Sequence, residues 1–163
     1  MTWDFRQRAK AFLRPGVRAL YLGQGDPEWL LSSGHPFPLL CLALGPETLP
    51  TWQRALGSLG GQAAPWQEGA LPFADGSFGL VLHRYGPCPY GEVRRVLRPG
   101  GFCLTEQLGA RDSGAQSLPP HYNLENQAPL FQKAGFRIQY QNQHYQEKGY
   151  GFAHRFLLVG KAV

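Results

Sequence analysis

Short apolar runs closing on glycine alternate with amphipathic stretches along most of this chain. Residues 17–23, VRALYLG, form the first such run, and its length and final glycine predict a buried strand. Residues 37–45, FPLLCLALG, predict a second, and residues 61–66, GQAAPW, a weaker third. A stronger fourth lies in residues 76–86, GSFGLVLHRYG, with Leu80, Val81 and Leu82 at its centre. Residues 102–108, FCLTEQL, give a fifth. Residues 136–143 and 154–162 alternate or run apolar as a terminal antiparallel pair, with the turn-rich EKGYG nearby.

The intervening stretches carry helix punctuation. Residues 26–34, DPEWLLSSG, offer an Asp N-cap, a Pro at the first helical position and a Gly stop. Residues 46–60 contain a helix that Pro50 restricts to its later part. Residues 90–101, YGEVRRVLRPGG, read as a helix ended by Pro99 and two glycines. Residues 123–135 have an Asn N-cap and a Gly stop. At the start, Trp3, Phe5, Ala9, Phe12 and Leu13 stand among Arg and Lys, a short amphipathic helix stopped at Pro15. Strands alternating with helices imply an α/β domain over residues 1–163, with a mostly parallel sheet covered on both faces. In such sheets ligands bind beyond the carboxyl ends of the strands, near the point where the winding reverses. That groups residues 23–26, the end of the second strand and residues 83–85 around one crevice.

Composition narrows the class. With 163 residues, one core of ordinary size is expected, and 43% apolar residues exclude a disordered chain. No run approaches the roughly 20 apolar residues that span a bilayer. The charged opening MTWDFRQRAKAF lacks a signal core, so a cytoplasmic location is expected. Cys41, Cys88 and Cys103 lack metal-ligand spacing, and Cys41 and Cys103 fall in apolar runs as buried thiols. The net charge of +5 permits RNA as a partner or describes a solvated basic surface. Its densest basic region is Arg6, Arg8, Lys10, Arg14 and Arg18, without interleaved stacking aromatics.

Two segments resemble the class I S-adenosylmethionine-dependent methyltransferases. Residues 19–25, ALYLGQG, are similar to that family's first motif. Residues 71–82, LPFADGSFGLVL, followed by residues 92–101, EVRRVLRPGG, resemble the signature of its small-molecule branch. The resemblance implies a Rossmann-like sheet of seven strands with the last antiparallel. It also implies S-adenosylmethionine lying across the ends of the first and second strands. Gly23 and Gly25 would let the backbone approach the methionine part of that cofactor. Gln24 between them would contact the cofactor or merely line the turn.

The departures fall on polar positions. Tyr21 stands where the family has a first-strand acid, and Pro27 where it has a third glycine. Ala43 occupies the position of the acid that accepts from both ribose hydroxyls. Gln67 is nearest to the acid that binds the adenine amino group, and Gly79 replaces the acid of the SFDLV pattern. Substitutes are at hand. Asp26 caps a helix or faces the cofactor's amino group. Glu47 opens a helix or reaches back toward the ribose. Gln67 or Glu68 hydrogen-bonds adenine or stays in a surface loop. A hydrogen bond to a charged group contributes about 1.5–3 kcal/mol, so losing the ribose contact weakens binding by roughly one to two powers of ten.

His83, just past the fourth strand, is the candidate base, since imidazole titrates near neutrality; its other reading is a partly buried strand-end histidine. Tyr85 is a candidate for orienting an acceptor, and Glu106 a further pocket residue. Residues 86–91, GPCPYG, read as a shortened loop. The resemblance therefore implies one of two functions. The first is an S-adenosylmethionine-dependent methyltransferase with a weakened cofactor site and an unidentified acceptor. The second is a catalytically inactive homologue serving as a binding or scaffold subunit, its cofactor lost and its partner another protein.

Overall fold

The computed structural model describes residues 3–23, 40–45, 49–57, 61–66, 69–114, 118–119, 121–149 and 151–163. Its first element, α1 (Phe5–Lys10), is shorter than the expected helix over residues 2–13. The Asp4 side chain accepts hydrogen bonds from the backbone of Arg6 and Gln7, which fixes the helix start at Phe5. Trp3 and Leu13 are still buried, from the flanking segments.

Strands β1 (Ala19–Gly23), β2 (Leu40–Leu44), β3 (Gln62–Pro65), β4 (Phe78–Arg84) and β5 (Leu97–Leu108) pair in parallel. Strands β6 (Phe136–Lys148) and β7 (Gly151–Ala162) form the closing hairpin, and β7 runs antiparallel to both β5 and β6. The described strands lie in the order β3-β2-β1-β4-β5-β7-β6. The winding reverses between β1 and β4, which places Gly23 opposite Arg84 at the switch point.

Helices α2 (Leu49–Gly57), α3 (Tyr90–Val96) and α4 (Leu124–Lys133) complete the described elements. Pro50 sits in the first turn of α2, where its missing N–H has no helical partner to lose. Helix α3 ends earlier than expected. Leu97 is already extended and pairs with Phe78, so Pro99 and its two glycines belong to the first part of β5. Proline disfavours helical backbone at the preceding residue, Arg98, which turns the chain into the strand before the glycines arrive.

Strand alternation sends side chains to two cores. Leu20, Leu22, Val81, Cys103, Phe156 and Leu158 face α3 and α4, packing with Val93, Val96 and Phe131. Tyr21, Leu42, Leu82, Leu104 and Leu157 face the opposite way, against Phe5 and Ala9 of α1 and Leu56 of α2. The basic residues near the N-terminus are partly engaged in packing. Arg8 lies 3.5 Å over the Tyr140 ring, and Arg18 packs beside Phe78 and Cys41.

The second resemblance segment is held together by a clamp. Glu92 accepts from the Leu71 backbone at 2.7 Å, and Arg95 donates to the carbonyls of Leu71 and Phe73 and to Asp75. Residues 71–76 and α3 are thus bound to each other by structural contacts. Within the hairpin, Gly160 underlies Phe131, which stacks on Phe136 with centroids 4.3 Å apart. A Cβ at Gly160 would overlap the Phe131 ring. Gly160→Ala is expected to destabilise the fold by about 1–3 kcal/mol in urea unfolding, with partial recovery in the double variant with Phe131→Leu.

Candidate active site

Every wholly buried or nearly buried polar side chain described lies toward the carboxyl ends of the parallel strands or on the elements packed there. These are His83, Thr105, Glu106, Gln107, Gln127 and His154. They divide between the two faces of the sheet.

On the α3–α4 face, His83 and Thr105 are register partners on β4 and β5. His83 Nδ1 lies 2.7 Å from Thr105 Oγ1, and the imidazole is 1% exposed. It sits within β4, beneath the crevice edge, where the sequence reading had it just past the strand. The Cys88 thiol lies beside His83, Thr105 and Cys103. Burial pushes that thiol up, but hydrogen bonding from Cys103 and the contacts with His83 and Thr105 outweigh it and hold the Cys88 pKa below the usual thiol value. Burial, reinforced by Cys88, raises the Cys103 thiol instead. All three cysteines are buried and free.

Next to this group is a chain of neutral polar side chains. Gln107 donates through Nε2 to the Tyr90 hydroxyl at 2.9 Å, and its Oε1 accepts from the Tyr122 hydroxyl. Tyr90 in turn donates to Gln127 Oε1 at 2.9 Å. Burial raises both phenols, so both stay protonated. Farther along, His154 Nδ1 accepts from the Arg111 backbone N–H, which leaves Nε2–H to donate to Gln143 at 2.8 Å. That neutral form agrees with burial, the main influence lowering the His154 pKa. The sign follows: a histidine held below its free value contributes stability that is present above about pH 6.5 and lost on acidification below it. The wild-type melting temperature is therefore expected to fall between pH 7.5 and 5, more steeply than in His154→Gln.

The opposite face carries an ionic cluster. Glu106 accepts from Arg84 at 3.0 Å and from Trp3 Nε1 at 2.5 Å. Tyr85 belongs here, away from His83. Its hydroxyl accepts from Arg84 and Arg155, and their guanidinium groups lie 4.7 and 5.2 Å from the centre of its ring. Its backbone φ is 65°, held by an N–H bond to the Glu106 carbonyl at 2.7 Å.

Gly23 is placed beside His83, with φ 121°. A Cβ there would stand 2.7 Å from the Arg84 carbonyl oxygen and 3.3 Å from His83 Cδ2. The approach of β1 to β4 therefore requires glycine whether or not a ligand binds. Ala43 pairs between Leu22 and Ala64 and is fully buried among apolar side chains. Tyr21 is 1% exposed within the other core. Gln24, Gly25, Asp26, Glu47, Gln67 and Glu68, with Pro27, lie outside the described residues. Sequence reading missed Cys88, Tyr90, Thr105, Gln107, Tyr122 and Gln127 as site residues. The signal available was polar side chains ending apolar strands, as in LHR and LTEQL.

No family model matches the chain, and no curated protein matches it. Solved structures do. A methyltransferase dependent on S-adenosylmethionine from Methanosarcina mazei superposes with TM-score 0.69 at 18% identity, covering 96% of this chain and 97% of that one. This chain has the class I S-adenosylmethionine-dependent methyltransferase fold. A complex between the Haloferax volcanii Trm112 methyltransferase activator and a candidate methyltransferase gives TM-score 0.73 at 16% identity, covering 97% of this chain and 89% of that one. The cyclase SpnF also gives TM-score 0.73, at 15% identity, covering 96% of this chain and 79% of that one. The methyltransferase fold thus carries more than one chemistry, and function must be argued from the site. Among the described residues, no helix is long and apolar enough to cross a membrane.

Proposed function

We propose that this protein is an S-adenosylmethionine-dependent methyltransferase whose cofactor is held weakly. The observation that carries this reading is the buried polar cluster around His83, at the carboxyl ends of β4 and β5 and against Gly23. Burying polar groups costs free energy unless each is paired, and an inert scaffold gains little from concentrating them at the switch point. The cofactor would supply the electrophilic methyl group. The residues that fit it are Gly23, which brings bare backbone to the crevice, and the apolar wall of Leu22 and Ala43. His83 would take the acceptor's proton, with Thr105 fixing the ring, while Gln107, Tyr90 and Tyr122 bind the acceptor through neutral hydrogen bonds. Phenols kept protonated favour a polar, uncharged acceptor group.

The inactive-homologue reading draws on a different observation. Two anchoring acids of the resemblance are replaced by side chains wholly inside the cores, Tyr21 and Ala43. In that reading a protein partner, of the kind seen in the Haloferax complex, is the main ligand. The basic charge would suit RNA as the partner, and a cytoplasmic location agrees with the charged opening segment.

Ala43→Asp separates these readings. A carboxylate placed in that apolar wall costs the ligand-free fold about 1–3 kcal/mol. On the methyltransferase reading it also restores a ribose acceptor, so affinity for S-adenosylhomocysteine rises by about tenfold. The expected result is a lower ligand-free melting temperature and a larger ligand-induced upshift than in wild type. No upshift in either protein at millimolar ligand would favour the scaffold.

A further inference from the structure

A cleft of about 340 Å³ opens at the other end of the sheet. Its walls come from the segment after α1, from the start of β4 and from the first part of β5. Phe12, Val17, Leu80 and Phe102 make the walls apolar, with the Phe12 and Phe102 rings 4.9 Å apart. Gly79 and His83 are four residues apart on β4, which separates this cleft from the candidate active site by about 13 Å of strand.

Two cations, Arg14 and Arg98, complete the lining, and among the described residues it contains no acidic side chain. Among the described residues neither arginine takes part in an ion pair; those ion pairs use Arg84 and Arg95. Arg14 makes one long hydrogen bond, 3.4 Å, to the Ala11 carbonyl. The Arg98 guanidinium lies across Gly79, where a Cβ would come within 3.0–3.2 Å of three of its atoms. The missing side chain at Gly79 makes room for that guanidinium against β4. An apolar hollow with two unmatched guanidinium forks has the chemistry of a carboxylate attached to a hydrocarbon body. The volume lies within the range of small-molecule clefts, about 300–1,000 Å³.

We infer that this cleft binds a small organic carboxylate with an apolar acyl or aryl body, its carboxylate on Arg98 and Arg14 and its body against the wall formed by Phe12, Val17 and Phe102. The site is separate from the cofactor crevice and does not depend on the methyltransferase reading.

Octanoate is the probe, titrated into the full chain and followed by heteronuclear NMR at the Gly79, Gly100 and Phe102 amides. Saturable binding is expected. Octanol, lacking the charge, and acetate, lacking the body, should each bind at least about tenfold more weakly. Arg98→Gln should weaken octanoate about tenfold or more, and Gly79→Leu should abolish binding by displacing the Arg98 guanidinium from its place on β4, with unchanged far-ultraviolet circular dichroism in both. Octanol binding as well as octanoate, octanoate affinity unmoved by Arg98→Gln, or shifts that never saturate would each overturn the inference. The S-adenosylhomocysteine titration is a separate readout, so failure here leaves the reading of the crevice standing.

Discussion

On the methyltransferase reading, exchanging His83 for glutamine is expected to slow methyl transfer by about 10²–10⁴-fold while leaving the affinity for S-adenosylhomocysteine within a few-fold. Glutamine fills similar space and can still reach the Thr105 hydroxyl, so the strand ends keep their packing. It cannot accept a proton. The loss should therefore fall on kcat. Thr105→Val supplies the companion test: it keeps the imidazole but removes its orienting hydroxyl, so a smaller loss is expected. Transfer of tritiated methyl into fractionated cell extract provides the assay and identifies the acceptor class. Equal transfer by wild type and His83→Gln would remove His83 from the chemistry.

Removing Glu106 should produce the largest loss of stability. Its side chain is 3% exposed, and two donors depend on it, the Arg84 guanidinium and the Trp3 indole. Truncating one partner of a buried ion pair leaves the other charge without compensation, which costs about 3–5 kcal/mol. Arg84 is 16% exposed and also meets Tyr85, so water and the phenol recover part of this. We expect Glu106→Ala to lose about 3 kcal/mol in urea unfolding, and Glu106→Gln about half as much, because the amide oxygen still accepts from Trp3. Trp3 fluorescence should shift to longer wavelength in the alanine variant only, as the N-terminal segment lifts from the sheet. Equal losses in the two variants would mean that charge, rather than the shared acceptor, holds this corner.

Local pattern revealed the strands where one face-to-face environment runs their whole length. β1 and β4 are short apolar runs because parallel strands at the centre of the sheet are buried on both sides. The same logic hid the length of the hairpin. Its outer part, residues 145–148 of β6 and 151–154 of β7, extends beyond the edge of β5, so YQEK shows no alternation. The α3 boundary was misplaced because glycine usually marks a helix stop, whereas here pairing of Leu97 with Phe78 decides it.

The site was less legible than the sheet. His83 stood out as the polar end of an apolar run. Tyr90, Gln107, Tyr122 and Gln127 come from separate segments, and only the packing of α3 and α4 over β5 joins them. Gly23 was read as a cofactor glycine, yet the Arg84 carbonyl requires it in any case. A sequence cannot separate those two demands on one residue. The lost acids were visible as Tyr21 and Ala43. That both replacements lie fully inside the cores came only from the packing.

Isothermal titration of the full chain with S-adenosylhomocysteine tests the central claim most directly. A crevice that keeps its glycine backbone and apolar wall but lacks the ribose carboxylate should bind with a Kd of roughly 10–1,000 μM. No heat at millimolar ligand would show that the cofactor site is gone, and a Kd below micromolar would show that its polar anchors are intact.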